Sequence, residues 1–228
     1  MKDSTLEALE RFDTLSDPVV ATPVDDAATP KRKRGWRISF NAPVTLCFVV
    51  ICAIVTFAGT MTNSQITTAF FATYFTSFLD PMFYLRLVTH VFGHGGWDHF
   101  AGNMVYILLL GPLLEEKYGG KTLILVIVLT GVVTGLLNAL LFPTTALLGA
   151  SGVVFAFILM SSVTNAREGD IPLTFILVFI VFIGQQVYMG IAVQDNISNM
   201  AHIIGGLIGG ILGFALSRRP MHRSTAGS

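Results

Sequence analysis

An all-helical protein that crosses a membrane several times is the fold the sequence predicts, on three observations. Hydrophobic residues fill 53% of the 228 positions, charged residues only 12%, and mean hydropathy is +0.69, a balance typical of polytopic membrane proteins. Six apolar runs, near 43–61, 100–114, 122–142, 150–164, 171–189 and 199–217, approach or reach the ~20 residues that cross a hydrocarbon core of about 30 Å. If the first run starts inside, 13 of the 14 Lys and Arg residues fall on the cytoplasmic side, where positive charge concentrates. Net charge is zero, so no basic face is left over for nucleic acid.

Residues 1–36 are polar, contain proline and hold seven of the 14 acidic residues, which predicts a disordered cytoplasmic tail. The tail closes on Lys31-Arg32-Lys33-Arg34, with Arg37 directly before the first span. That span carries both cysteines, Cys47 and Cys52; five residues apart on one helix they face different ways and cannot pair. Residues 62–98 form a long outer connection rich in Phe, Tyr and Trp, including Phe70, Tyr74, Phe83 and Trp97. Aromatic rings favour the membrane interface, so short helices lying there are expected to form a partly submerged flap. Spans two and four are short for a full crossing, which predicts tilting or extension by flanking polar residues. Lys117, Lys121 and Arg167 mark the two inner loops, and a short basic tail, 218–228, returns to the cytoplasm. The membrane-embedded unit is expected to span 37–217. A basic cytoplasmic tail and six spans fit a bacterial or archaeal plasma membrane best.

Polar side chains inside the spans carry the chemistry. An ionisable group at membrane depth costs about 2.5–3.5 kcal/mol on insertion scales and requires a reason. His202 lies about four residues into the last span, on the side where Gly205, Gly206, Gly209 and Gly213 cluster, and such a glycine stripe lets another helix come close. Spans four and six both run inward from the outer face. At about 1.5 Å per residue, Ser151 in Gly149-Ala150-Ser151-Gly152 therefore reaches nearly the same depth as His202. A hydroxyl and an imidazole at one depth make a nucleophile and its general base. Taken singly, a packing serine and a histidine bonded to a carbonyl are the simpler readings; the depth match outweighs them.

His99 and Asn103 are four apart and share a face of span two, which also starts outside. Both can donate to an oxyanion formed at Ser151, beside the Ser151 backbone N–H in the positive first turn of its helix. The rival reading of His90, His94 and His99 is a metal site. The lack of an HExxH helix or a nearby carboxylate pair counts against it, so no metal and no cofactor is expected. His90 and His94 are read instead as hydrogen-bonding residues that stabilise the loop.

GASG at 149–152, AHxxGxxxG at 201–209, and His99-x-x-x-Asn103 after a long first loop, in this order, resemble the rhomboid intramembrane serine proteases. The resemblance covers roughly 43–217 and implies a six-transmembrane-helix rhomboid-like bundle with a long membrane-associated first outer loop. It implies that Ser151 and His202 form a dyad without a carboxylate and that His99, Asn103 and Ser151 form the oxyanion hole. Gly149, Gly152, Phe155, Gly205 and Gly209 would support them. Glu115 matches an acidic residue of structural role, and Arg86 matches the arginine of a Trp-Arg pair whose tryptophan is Leu85 here. Phe155 stands where many relatives carry tyrosine stacked on the base; it keeps the ring and loses the hydroxyl.

The function so implied is endopeptidase cleavage of transmembrane segments through an acyl-enzyme, with membrane-protein substrates and the lipid bilayer as partners. The oligomeric state is left open. A non-catalytic rhomboid-like factor that binds membrane proteins for quality control is the alternative. A small transporter is the third reading, against which stands the lack of an inverted repeat between the halves.

Overall fold

The computed structural model describes residues 40–164, 166, 170–192 and 196–217. The tails expected at 1–36 and 218–228 lie outside the described residues, together with most of the cationic side chains that bear on orientation. Among the described residues eight α-helices are formed: α1 (Pro43–Met61), α2 (Gln65–Phe70), α3 (Pro81–Thr89), α4 (Trp97–Tyr118), α5 (Gly120–Leu141), α6 (Ser151–Ser162), α7 (Leu173–Ala192) and α8 (Asn196–Ser217). A 3-10 turn at His90–Phe92 follows α3.

Two of these helices, α1 and α5, and residues 199–216 of α8 are long and apolar enough to cross a membrane. Their outward faces agree: Val50, Ile54 and Phe57 on α1, Leu125 and Leu140 on α5, and Ile211 on α8 are exposed large apolar side chains. Leu173, Leu177, Ile180 and Val181 add a further such face on α7. So much contiguous apolar surface suits lipid rather than water. The chain is a polytopic helical membrane protein.

The two spans expected to be short differ in kind. α4 runs 22 residues, past the apolar run at both ends, because Trp97, Asp98 and His99 begin it and Glu115, Glu116 and Lys117 end it. α6 has only 12 residues, a length of about 18 Å. It is surrounded by α4, α5, α7 and α8, and every residue from Gly152 to Met160 is buried. A helix that is apolar on all sides and short in this way forms the centre of a bundle.

α6 packs most extensively on α8, and glycines set the separation. A Cβ at Gly205 would strike the Gly152 carbonyl oxygen, and one at Gly209 would strike that of Ala156. Gly213 sits against Met160 and Val163. Gly206 departs from the expected stripe, since it faces Ile183 of α7 as well as Leu159. Here α7 leans on α8 one residue around the helix from the α6 contact.

Glu115 explains how α1 is attached. The first N–H groups of a helix have no partner within it, and no side chain of the preceding residue caps α1. Glu115 of α4 accepts from the Val44 and Thr45 amides at 2.9 Å each and from the Thr45 hydroxyl at 2.8 Å. The negative carboxylate also meets the positive end of the helix dipole. Replacing Glu115 with alanine should cost about 2–4 kcal/mol, read as a lowered Tm in detergent, with a smaller loss for Glu115→Gln, which keeps one acceptor.

Candidate functional site

The loop before α6 is fixed from three sides. Thr73 and Leu147 exchange two backbone hydrogen bonds, at 2.8 and 2.9 Å. Asn138 of α5, fully buried, donates to the Thr145 carbonyl at 2.9 Å. The Gly149 amide donates to the His90 carbonyl at 2.9 Å. Gly149 has φ +122°, a left-handed value that favours glycine, and a Cβ there would sit 2.8 Å from His99 Cε1. Gly149 lets the loop approach His99 and Asn103 of α4, whereas Gly152 faces Ala201 of α8.

With the loop fixed, Ser151 begins α6 at the wall of a cavity of about 270 Å³. The same cavity is lined by Asp98, His99, Gly102 and Asn103 of α4, Leu147 and Leu148 of the loop, and His202 of α8. Ser151, His202, His99 and Asn103 thus come together from three helices separated in sequence. A larger groove of about 370 Å³ beside α1 and α5 is lined by apolar side chains such as Phe48, Ile51 and Ile124, together with Cys47.

Phe155 and Gln186 both contact the His202 ring. Phe155 lies one turn below Ser151 and stacks on it, centroids 4.4 Å apart and planes within 9°. Phe182 of α7 packs edge-on against Phe155 at 5.7 Å. On the ring edge, His202 Nδ1 is 2.7 Å from Oε1 of Gln186. Sequence reasoning missed Gln186, although a Gln185-Gln186 pair inside an apolar run was a visible signal.

The donors on α4 are also set. The Gly95 amide donates to His99 Nδ1 at 3.4 Å, so the His99 proton resides on Nε2, the atom nearest Gly149 after Cε1. Asn103 Nδ2 donates one hydrogen to the His99 carbonyl at 3.1 Å and retains a second. Among the described residues, no group of three or more His, Cys, Asp or Glu side chains is placed to hold a metal ion.

His90 and His94 are loop-holding residues in this structure. His90 Nδ1 lies 3.2 Å from the Arg86 carbonyl, and its Nε2 lies 3.5 Å from the Thr134 hydroxyl. His94 Nδ1 lies 3.2 Å from the Phe92 carbonyl, and its ring meets that of His99 edge-on at 5.2 Å. Burial pushes His90 down to about 4, against the opposing pull of carbonyls that favour its charged form. Burial, helped by nearby His99, pushes His94 down to about 4 as well. Between the ordinary value of 6.5 and 4 the unfolded chain binds protons that the folded one refuses, so stability is present above 6.5 and falls as pH drops through this window. The limiting slope is about 1.4 kcal/mol per pH unit for each group. Thermal unfolding measured across this range should show the loss, and His90→Gln should make it shallower.

Arg86 anchors the outer connection without the missing tryptophan. Its Nε donates to the Ala69 carbonyl at 2.8 Å, its guanidinium lies 4.6 Å from the Tyr74 ring centroid, and Nη1 is 3.9 Å from Asp80. Asp80 in turn caps α3 through the Met82 amide at 2.9 Å. Leu85, at the tryptophan position, is exposed and takes no part.

The Rhomboid domain family matches residues 82–219, more than half of the chain. The chain is 29% identical over 155 residues to Rhomboid-like protein 11, chloroplastic, of Arabidopsis thaliana, covering 61% of this chain and 55% of that protein. It is 32% identical over 144 residues to Rhomboid-related protein 2 of Mus musculus, covering 58% and 47%. RHOMBOID-like protein 6, mitochondrial, of Arabidopsis thaliana is 30% identical over 138 residues, covering 59% and 44%. The chain spans about half the length of these relatives. With the family match running from α3 through α8, across every residue that lines the cavity, the chain belongs to the rhomboid family.

Proposed function

We propose that this chain is an intramembrane serine endopeptidase that cleaves transmembrane segments of other proteins. The observation that carries the reading is the convergence of Ser151, His202, His99 and Asn103 on one cavity. In it, α1 and α4 through α8 cross the bilayer as a six-helix bundle, and α2 and α3 lie in a membrane-associated outer connection. The termini are cytoplasmic, and the cavity opens to the outer side of the plasma membrane.

The chemistry follows from the donors and acceptors. Ser151 Oγ attacks the scissile carbonyl carbon and passes its proton to His202 Nε2. The carbonyl oxygen takes up the negative charge, stabilised by the Ser151 N–H at the positive end of α6, by His99 Nε2–H and by the second Asn103 Nδ2 hydrogen. Collapse breaks the C–N bond, the amine leaves with the proton held by His202, and the acyl group stays on Ser151. Water then attacks the ester, giving its proton to His202, and releases the carboxylic product with Ser151 restored. A helical substrate must unwind first, because its carbonyls are engaged in its own backbone ladder. Small or helix-breaking residues are therefore expected beside the cleaved bond.

The test is cleavage of a labelled single-span substrate in proteoliposomes, with no product from this chain contradicting the proposal. Asn103→Ala should lower kcat about 10²- to 10³-fold, with KM little changed, because its hydrogen bond forms only with the oxyanion.

A further inference from the structure

An uncharged amide buried inside an apolar helix needs a partner. Gln185 of α7 is exposed, whereas Gln186 is buried and its Oε1 lies 2.7 Å from His202 Nδ1. We infer that Gln186 is the positioning residue of the site: it fixes the tautomer and ring edge of His202 so that Nε2 holds the lone pair that receives the serine proton. This inference rests on the proposed Ser151–His202 chemistry.

An amide oxygen has no hydrogen to give, so the ring nitrogen facing it carries one. A neutral imidazole has a single N–H, and with that hydrogen on Nδ1 the lone pair is on Nε2. The Phe155 stack alone does not achieve this. Parallel rings 4.4 Å apart fix the plane of His202, yet a half-turn within that plane exchanges the nitrogen and carbon edges without loss of the stack. Gln186 distinguishes the two edges, so the two contacts impose different constraints. The Nδ1–H···O bond also strengthens as His202 becomes the imidazolium, since a charged donor bonds more strongly. The gain therefore falls on the transition state rather than on the resting enzyme. A neutral acceptor suits this depth, where a carboxylate would carry a desolvation cost of its own.

The experiment compares Gln186→Leu with Gln186→Glu in proteoliposomes and reads the His202 tautomer by ¹⁵N NMR of histidine-labelled protein. The His202 signals are identified by their loss in His202→Ala. Gln186→Leu should lower kcat about 10- to 100-fold with KM nearly unchanged, the range seen when the orienting partner of an imidazole is removed from metal sites. Gln186→Glu restores an acceptor and should stay within a few-fold of wild type. A residue that merely fills space would give the reverse order, because leucine matches the volume and glutamate buries a charge. The wild-type spectrum should show Nδ1–H, and Gln186→Leu a mixture. Wild-type Nε2–H, or an undiminished kcat in Gln186→Leu alongside loss of cleavage in Ser151→Ala, overturns the inference. Cleavage that survives Ser151→Ala while Gln186 still sets the tautomer contradicts the Ser151–His202 dyad and upholds the tautomer assignment.

Discussion

Ser151→Ala and His202→Ala are each expected to reduce cleavage about 10⁴-fold or more, and the double variant is expected to be no worse than either single one. The reason is cooperation: the hydroxyl is a weak nucleophile until Nε2 removes its proton, and the imidazole has no proton to take once the hydroxyl is gone. Folding should survive. Ser151 is at the first position of α6 and only partly buried, so loss of one oxygen there leaves the α6–α8 contact intact. Product formation in proteoliposomes reads the first effect, and thermal unfolding reads the second. Additive losses in the double variant would contradict a shared step.

The second large effect concerns the backbone contact that brings α6 and α8 together. Gly209→Val should destabilise the protein by about 3 kcal/mol or more, because its Cβ would strike the Ala156 carbonyl and backbone cannot move aside as a side chain can. Gly205→Val should act likewise against Gly152. Gly206→Ala meets only the ends of Ile183 and Leu159, at 3.2 and 3.3 Å, and should cost far less. Gly184, with nothing within 4 Å of its added Cβ, provides a control; alanine there should be neutral or stabilising by about 0.5–1 kcal/mol through helix propensity. Tm in detergent ranks the four variants. A loss at Gly184 as large as that at Gly209 would show that the contact with α6 does not set the cost.

Sequence alone carried the argument as far as patterns with a fixed period or a fixed cost allow. The apolar runs identified the helices, and the expense of His202 at depth singled it out. Helix counting put Ser151 and His202 at one depth although 50 residues separate them, and both line one cavity. Extension of span two by its polar flanks was legible as well, although not what those ends serve: His99 lines the cavity and Glu115 caps α1. Two features escaped because they depend on rotation and on distant loops. Gly149 meets His99 rather than α8, and only the path of the 142–150 loop, fixed by Asn138, Thr73 and His90, decides that. Gln186 required the rotation of α7, which the composition of an apolar helix leaves unspecified.

Reaction of the reconstituted protein with a fluorophosphonate, followed by mass spectrometry of the labelled peptide, reports most directly on whether Ser151 is an activated nucleophile. The expected result is one adduct on Ser151, lost in Ser151→Ala and strongly slowed in His202→Ala. Cleavage by the wild-type protein without an adduct on Ser151, or labelling that persists in Ser151→Ala, would contradict it.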